Sequence, residues 1–555
     1  MPVPAICDVA PDKATYRPGE AARITVTLQN GDAPLRGRLT LALLHIDTLV
    51  ETQEQSVDLA AHAAADFVFT IIPPPTPLRG YGLDATLYDE SGQVVARSSG
   101  ALDVLERWSQ APRYGFLSDF GPGEQSDVEA RADSLLRYHL NVVQFYDWMW
   151  RHYKLLPPTD EFTDALGRRL SLGTVRSAIS AVQARGGAAL AYGAVYGAEP
   201  EYADLHPEQR LYDEQGKPIS LAELFYIMNI SEGSPWVELI VAEFAETVRT
   251  LAFDGIHLDQ YGFPKTAFSS AGEPVDLSHD FPPLIDKARA AVVSERADAG
   301  VIFNAVDNWP IETVAPTSQD AVYIEVWPPY DTYNDLRALI REGKRLGGDK
   351  QVILAAYLTP FGEATLETVT QAEAAALLST SVIAASGGFH LLLGEQDGVL
   401  CDPYYPKYAT LSPDFALTTR QYYDFLVRYE ELLIAPDLTD LDNDQLSVTL
   451  TGIPTSATAQ PGHVWIIQRG DSKHRIVHLI NLLDQSDVAW NAPRTTPQPL
   501  RTIELQMSDL PPLKQILLLN PEGQRPQPLE WTKQDGVVHV TMPGLQVWGV
   551  LICVL

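Results

Sequence analysis

Eight short apolar runs between Tyr114 and Glu395 constrain this chain more than any other feature. In order they read YGFLSDF, NVVQFYD, GAALAYGAVYG, GIHLDQYG, VIFNAVDN, VYIEVWPP, VILAAYLTP and GFHLLLGE. Each has the length of a buried strand, and stretches with helical spacing lie between several of them. DVEARADSLLRYHL, PWVELIVAEFAETVRTLAF and QAEAAALLSTSVIAA are the clearest of these. Gly387 and Gly388 stop the last helix before its strand, the usual role of glycine past a helix C-terminus. Eight such units over about 280 residues match a (β/α)8 barrel, whose typical size is about 250 residues.

The flanks follow another rule. RITVTLQN, RLTLALLHI, ADFVFTII and YGLDATLYDE alternate with a period of two between Gly, Pro and Asp turns, as in a small sandwich. IIPPPTPLRG predicts a stiff crossing, because proline donates no ladder hydrogen bond. Beyond about residue 440 the helical spacing stops and alternation returns in QLSVTLTG, HVWIIQRG, RIVHLINLL, RTIELQM, QILLLN and VVHVTMPGLQVWGVLICVL. The expected fold is α/β: a (β/α)8 TIM barrel at 111–438 between two β-domains. These are an N-terminal immunoglobulin-like β-sandwich at 1–110 and a C-terminal antiparallel β-sandwich of Greek-key type at 439–555.

The formal net charge of −32 repels phosphate backbones, so nucleic acid is not an expected partner. No apolar run reaches the roughly 18 residues that cross a bilayer, and no membrane association is expected. The opening residues lack a basic region followed by an apolar stretch, so a cytoplasmic location is expected. Cys7, Cys401 and Cys553 are widely spaced and form no CxxC, and the histidines show no HExxH. Neither a cofactor nor a metal is expected, and the chain is expected to act as a monomer. DLTDLDNDQ sets Asp440, Asp442 and Asp444 at calcium-loop spacing. Gln445 replaces the required glycine, though, and Thr451 the bidentate glutamate, so an acidic linker is expected.

Catalytic groups of such barrels lie at the C-terminal ends of the strands. The residues there are Asp119, Tyr146, Asp147, Tyr196, Asp259, Gln260, Asn304, Asp307, Glu325, Trp327, Tyr357, His390 and Glu395. Acids and amides bind sugar hydroxyls, and flat rings stack on pyranose faces. Asp259 and Glu325 end the fourth and sixth runs, so they can face each other across the barrel mouth. A retaining glycosidase needs such a pair about 5–5.5 Å apart. Tyr323 and Trp327 flank Glu325; an apolar wall would raise its pKa and keep it protonated. Asp259, between His257 and Gln260, would be held ionised by hydrogen bonds. Asp259 is then the expected nucleophile and Glu325 the acid/base. Taken singly, each residue has an ordinary structural reading: Asp after a strand caps helices, and strand-end aromatics are usually core.

QFYDWMWRH at 144–152, together with FLSDF, DGIHLDQYG, YIEVWPP, GGFHLLLGE and YYP at 404–406, resembles glycoside hydrolase family 66. The resemblance spans about 114–410. That family holds endo-dextranases and cycloisomaltooligosaccharide glucanotransferases, retains anomeric configuration and acts on α-1,6-linked glucose chains. It implies Asp259 as nucleophile and Glu325 as acid/base, and places Asp147, Trp148 and His152 in the motif lining the sugar site. The full expected sugar-binding set is Asp119, Tyr146, Asp147, Trp148, His152, Tyr196, His257, Gln260, Trp327, Tyr357, His390 and Glu395. The family's cyclising members carry a carbohydrate-binding module inserted in the barrel. No insertion of that size is visible here, and a single helix is expected between Val352 and Phe389. Endo-acting hydrolysis of dextran or isomalto-oligosaccharides is therefore expected. A glucanotransferase-type transglycosylase and a non-catalytic α-glucan-binding protein are the alternatives.

Overall fold

The eight apolar runs form eight parallel strands. They are β1 (Tyr114–Leu117), β2 (Val142–Phe145), β3 (Ala188–Ala194), β4 (Gly255–Asp259), β5 (Gly300–Val306), β6 (Ala321–Glu325), β7 (Val352–Ala355) and β8 (Phe389–His390). The computed structural model describes residues 4–442, 445–523 and 525–555. The strands pair in sequence order from β1 to β8. Crossover helices include α1 (Val128–Arg137), α2 (Leu172–Ala184), α3 (Pro235–Leu251), α4 (Leu277–Glu295), α5 (Ile311–Val314), α6 (Tyr333–Gly347) and α7 (Val369–Ala385). The segment between β7 and β8 holds one more helix than expected, the four-residue turn Thr359–Gly362. The longest connection, between Ala194 and Gly255, has 60 residues (195–254), and no domain-sized insertion interrupts the barrel.

Closure of the barrel differs from its other seven pairings. β8 and β1 make no regular ladder; a single parallel bridge joins Phe116 to Gly394. Glu395 completes the seam. Its Oε1 accepts from the Ser118 amide (2.8 Å), the Ser118 hydroxyl (2.9 Å) and the Asp119 amide (3.1 Å). Its Oε2 accepts from Arg131 of α1 at 2.8 Å, and both side chains are almost fully buried. The expected role of Glu395 in sugar binding is thus corrected. It supplies acceptors where the sheet has run out of backbone partners.

Seven strands form the N-terminal sandwich. A three-stranded sheet (Ala5–Pro11, Ala22–Gln29, Ala64–Ile71) packs on a four-stranded one (Thr48–Leu59, Leu35–His45, Arg79–Asp89, Val94–Val104) around one apolar cluster. Thr48–Leu59, ETQEQSVDL in its core, escapes the alternation test because it is an exposed edge strand dominated by polar side chains. Arg113, just before β1, ties this unit to the barrel. It pairs with Asp103 at 2.7 Å and Glu430 at 3.2 Å in a fully buried cluster.

The C-terminal unit has two sheets over a second cluster, antiparallel apart from one short parallel pairing of Thr455–Ser456 with Val464–Gly470. Its segment 487–494 packs on the loop leaving β6. The Trp490 indole donates to the Tyr330 carbonyl (2.7 Å), its amide to the Asp331 carbonyl (3.1 Å), and Ala489 bridges to Thr332. In the acidic linker, Asp440 binds Arg337 (3.0 Å) and Arg341 (3.1 Å) and lies 3.7 Å from Arg469. Asp444 lies outside the described residues. Among the described residues, no helix is long and apolar enough to cross a membrane.

Replacing Glu395 with alanine leaves Arg131 buried without a countercharge. The expected loss of folding stability is about 3–5 kcal/mol, read as a lower urea midpoint. The double change Arg131→Met with Glu395→Leu should recover much of that loss. A wild-type midpoint for Glu395→Ala would show that the seam is held by something else.

Candidate active site

Side chains of a strand alternate between the two faces of its sheet, so alternate residues of each barrel strand point to the axis. Val142, Gln144 and Tyr146 form one inward series. Leu190 and Tyr192, His257 and Asp259, Ile302 and Asn304, Tyr323 and Glu325, and Ile353, Ala355 and Tyr357 form the others. Their lower members fill the barrel and their upper members line a cleft of about 650 Å³ at its C-terminal mouth. That volume is within the usual range for small-ligand sites.

Asp259 and Glu325 meet in this cleft through a third residue. Asn304 stands on β5, between their strands, and is 4% exposed. Its amide nitrogen donates to Asp259 Oδ1 at 2.8 Å and to Glu325 Oε2 at 2.7 Å. The two acceptor oxygens are therefore no more than 5.5 Å apart, the sum of those bonds (2.8 + 2.7 Å). Tyr192 donates its hydroxyl to the other oxygen of Asp259 at 2.7 Å. Trp327 and Tyr357 stand beside Glu325 with donors that favour its charged form.

Burial sets the charge states. It raises the Asp259 pKa, and the bonds from Asn304 and Tyr192 oppose it without cancelling it. Burial, then the nearby charge of Asp259, pushes Glu325 up to about 7, against the bond from Asn304 and the neighbouring donors of Trp327 and Tyr357. The arrangement favours one proton on the pair, held by Glu325. The donors to Asp259 are Asn304 and Tyr192, together with the Gln260 backbone. The His257 ring turns elsewhere: its Nδ1 shares a 2.8 Å hydrogen bond with the Tyr114 hydroxyl. Burial drives His257 down to about 3, so it is a neutral imidazole.

The loops after β2 and β3 build one wall. Asp147 sits at φ +48°, a left-handed conformation costly for a non-glycine residue, as is common at functional sites. Burial lifts it to about 6, against the opposing charges of Arg168 and His152. Glu199 fixes His152, accepting from its amide and from Nδ1, both at 2.9 Å. Burial raises Glu199, but the bonds from His152 outweigh it and hold the carboxyl below its ordinary range. Phe225, on the hairpin after β3, lies 4.2 Å from the His152 ring. On the far side Tyr405 stacks on Tyr146, with centroids 4.3 Å apart.

Of the expected residues, Tyr146, Asp147, His152, His257, Asp259, Gln260, Glu325, Trp327 and Tyr357 line the cleft. Five do not. Trp148 is core, with its indole bonded to the Tyr192 carbonyl at 3.1 Å. Tyr196 is fully buried behind the cleft and braces the loop after β4, donating to the Phe263 carbonyl at 2.8 Å. His390 bonds the Ala356 carbonyl at 2.9 Å among α7 residues, and burial lowers it to about 4. Asp119 is exposed and caps its own turn at the Gly121 amide. Glu395 closes the seam. Tyr192 escaped the strand-end reading because it lies two residues inside β3; inward parity was the signal that pointed to it.

The profile of glycosyl hydrolase family 66 matches residues 11–552. A cycloisomaltooligosaccharide glucanotransferase from Niallia circulans is 25% identical over 693 aligned positions, covering 97% of this chain and 71% of that protein. With 555 residues here, at least 138 of those positions (693 − 555) have no counterpart in this chain. A dextranase from Streptococcus salivarius is 21% identical over 522 positions, covering 80% of this chain and 61% of that protein. The crystal structure of a Paenibacillus sp. cycloisomaltooligosaccharide glucanotransferase with cycloisomaltoheptaose superposes at a TM-score of 0.92 with 23% identity. It covers 99% of this chain and all of that one. Barrel, flanking sandwiches and profile match agree from end to end: this chain belongs to glycosyl hydrolase family 66.

Proposed function

We propose that this glycoside hydrolase cleaves α-1,6-glucosidic bonds of dextran or isomalto-oligosaccharides with retention of configuration and by internal attack. The observation that carries the retaining mechanism is the shared donor. Two carboxylates bonded to one nitrogen, with acceptor oxygens at most 5.5 Å apart, suit direct attack. An inverting pair would need about 6.5–9.5 Å to admit a water between them. Asp259 is the nucleophile: it is the member of the pair kept ionised, with both oxygens hydrogen-bonded. Glu325 protonates the leaving oxygen, then takes a proton from water to release the sugar. The α-1,6 linkage and the glucan follow from the dextranase and glucanotransferase names of the relatives. Asp147, His152, Gln260 and Trp327 are the proposed sugar contacts.

Hydrolysis is favoured over cyclisation by what the barrel lacks. The aligned glucanotransferase holds more than a hundred positions with no match here, and no connection between strands is long enough for an inserted module. Incubation with dextran followed by product sizing should give a ladder of reducing isomalto-oligosaccharides. Cyclic, non-reducing products would establish the transglycosylase instead, and binding without turnover a sugar-binding protein.

Activity requires Glu325 protonated and Asp259 charged. A carboxyl near pH 7 loses its proton as pH rises through that value, so kcat/KM should fall on the alkaline side near pH 7. It should also fall on the acid side, at a pH above the ordinary aspartate range. Glu325→Gln should slow turnover of isomaltotetraose by about 10²–10⁴. Its kcat/KM should recover on an α-glucosyl fluoride, whose leaving group needs no proton, and there the alkaline limb should vanish, while release of the sugar stays slow for want of the base. An unchanged alkaline limb would remove Glu325 from the acid role.

A further inference from the structure

Asn304 does more than fill the space between two acids. It is buried at the one strand position adjacent to both, and both of its N–H bonds are committed, one to each carboxylate. Its carbonyl oxygen is buried and has no hydrogen-bond partner among the described residues. Turning this amide over would set its oxygen against the Asp259 carboxylate and take away that acid's donor, so one orientation is held. The protein therefore accepts an unsatisfied carbonyl, a destabilising feature in a buried site, in order to aim two donors at the pair.

The reaction proposed above gives those donors a purpose. Before attack, Asp259 is a carboxylate and Glu325 a carboxylic acid. In the first step an Asp259 oxygen forms a bond to the anomeric carbon and the glycosidic C–O bond breaks. Its electron pair stays on the leaving oxygen, which takes the proton from Glu325. Asp259 is now an uncharged ester and Glu325 a carboxylate. Water reverses both changes. The pair carries one negative charge in each of these states, and only its location alternates.

Resting on that reading, we propose that Asn304 is the positioning residue that follows this charge. One fixed amide stays bonded to both carboxylates and stabilises whichever is ionised, so no group has to reorient as charge crosses the cleft. Preorganised donors aimed at developing charge are worth most in a buried site of this kind. Burial of both acids, and the upward push of Asp259 on Glu325, fit a pair held close by a common donor.

The test compares wild type, Asn304→Ala and Asn304→Leu on isomaltotetraose and on the α-glucosyl fluoride across pH. Asn304→Leu keeps the side-chain size and so separates loss of the donors from a cavity. The expected result is a fall in kcat of about 10²–10³ with KM changed by no more than a few-fold. Each N–H favours the charged form of its acid, so its loss should move both limbs of the pH profile to higher pH. The fluoride should not rescue either variant as it rescues Glu325→Gln, because Asp259 has lost a donor as well. Unmoved limbs, a kcat within about three-fold of wild type, or full rescue by fluoride would overturn the proposal. The wild-type reference reads the α-glucan assignment by itself, so failure there is distinct from failure of the Asn304 role.

Discussion

The barrel depends on a side chain doing what a backbone could not. Seven of its eight strand pairings are continuous ladders, and the eighth is one bridge plus the Glu395 carboxylate. Strands four to six are paired neighbours, so their own ladders set the distances among Asp259, Asn304 and Glu325, and closure shapes the mouth around them. A buried acid at the seam is costly unless its hydrogen bonds are made. Here Ser118, the Asp119 amide and Arg131 make them. The seam thus rests on a buried ion pair, at the opposite part of the sheet from Asp259 and Glu325.

Inside the cleft, the governing force is removal of water. Burial is the main cause of the upward shifts of Asp147, Asp259 and Glu325, and it keeps His257 neutral. What distinguishes the two central acids is their order of ionisation. Whichever acid ionises first raises its neighbour. Asp259 takes the charge, with Tyr192 and Asn304 on its two oxygens, and Glu325 keeps the proton.

Much of this was legible in the residues. The eight runs gave the strands, and the acid pair was placed on strands four and six where it stands. Strand ends alone are an incomplete guide to the cleft. Parity is assured only while a strand is paired: Trp148, Tyr196 and Glu395 lie past their strands and turn away, whereas Tyr146 and Tyr357, also just past theirs, keep the inward side. Parity within the strands is the closer guide. It picks out Gln144, Tyr192, Asn304 and Tyr323, all of which line the cleft. Asn304 was visible as a strand end, but its two bonds belong to tertiary geometry, and no local pattern marks an amide that serves two acids.

The contact between the C-terminal sandwich and the loop leaving β6 has a further consequence. Trp490 and Ala489 pin residues 330–332, a few positions past Glu325 and Trp327. The terminal β-unit is therefore a buttress for the wall beside Glu325, and not a module strung loosely behind the barrel. Sequence drift in that unit would be felt first as a change in how tightly the acid is enclosed, and a chimera joined at the linker would inherit the acid strength of neither parent.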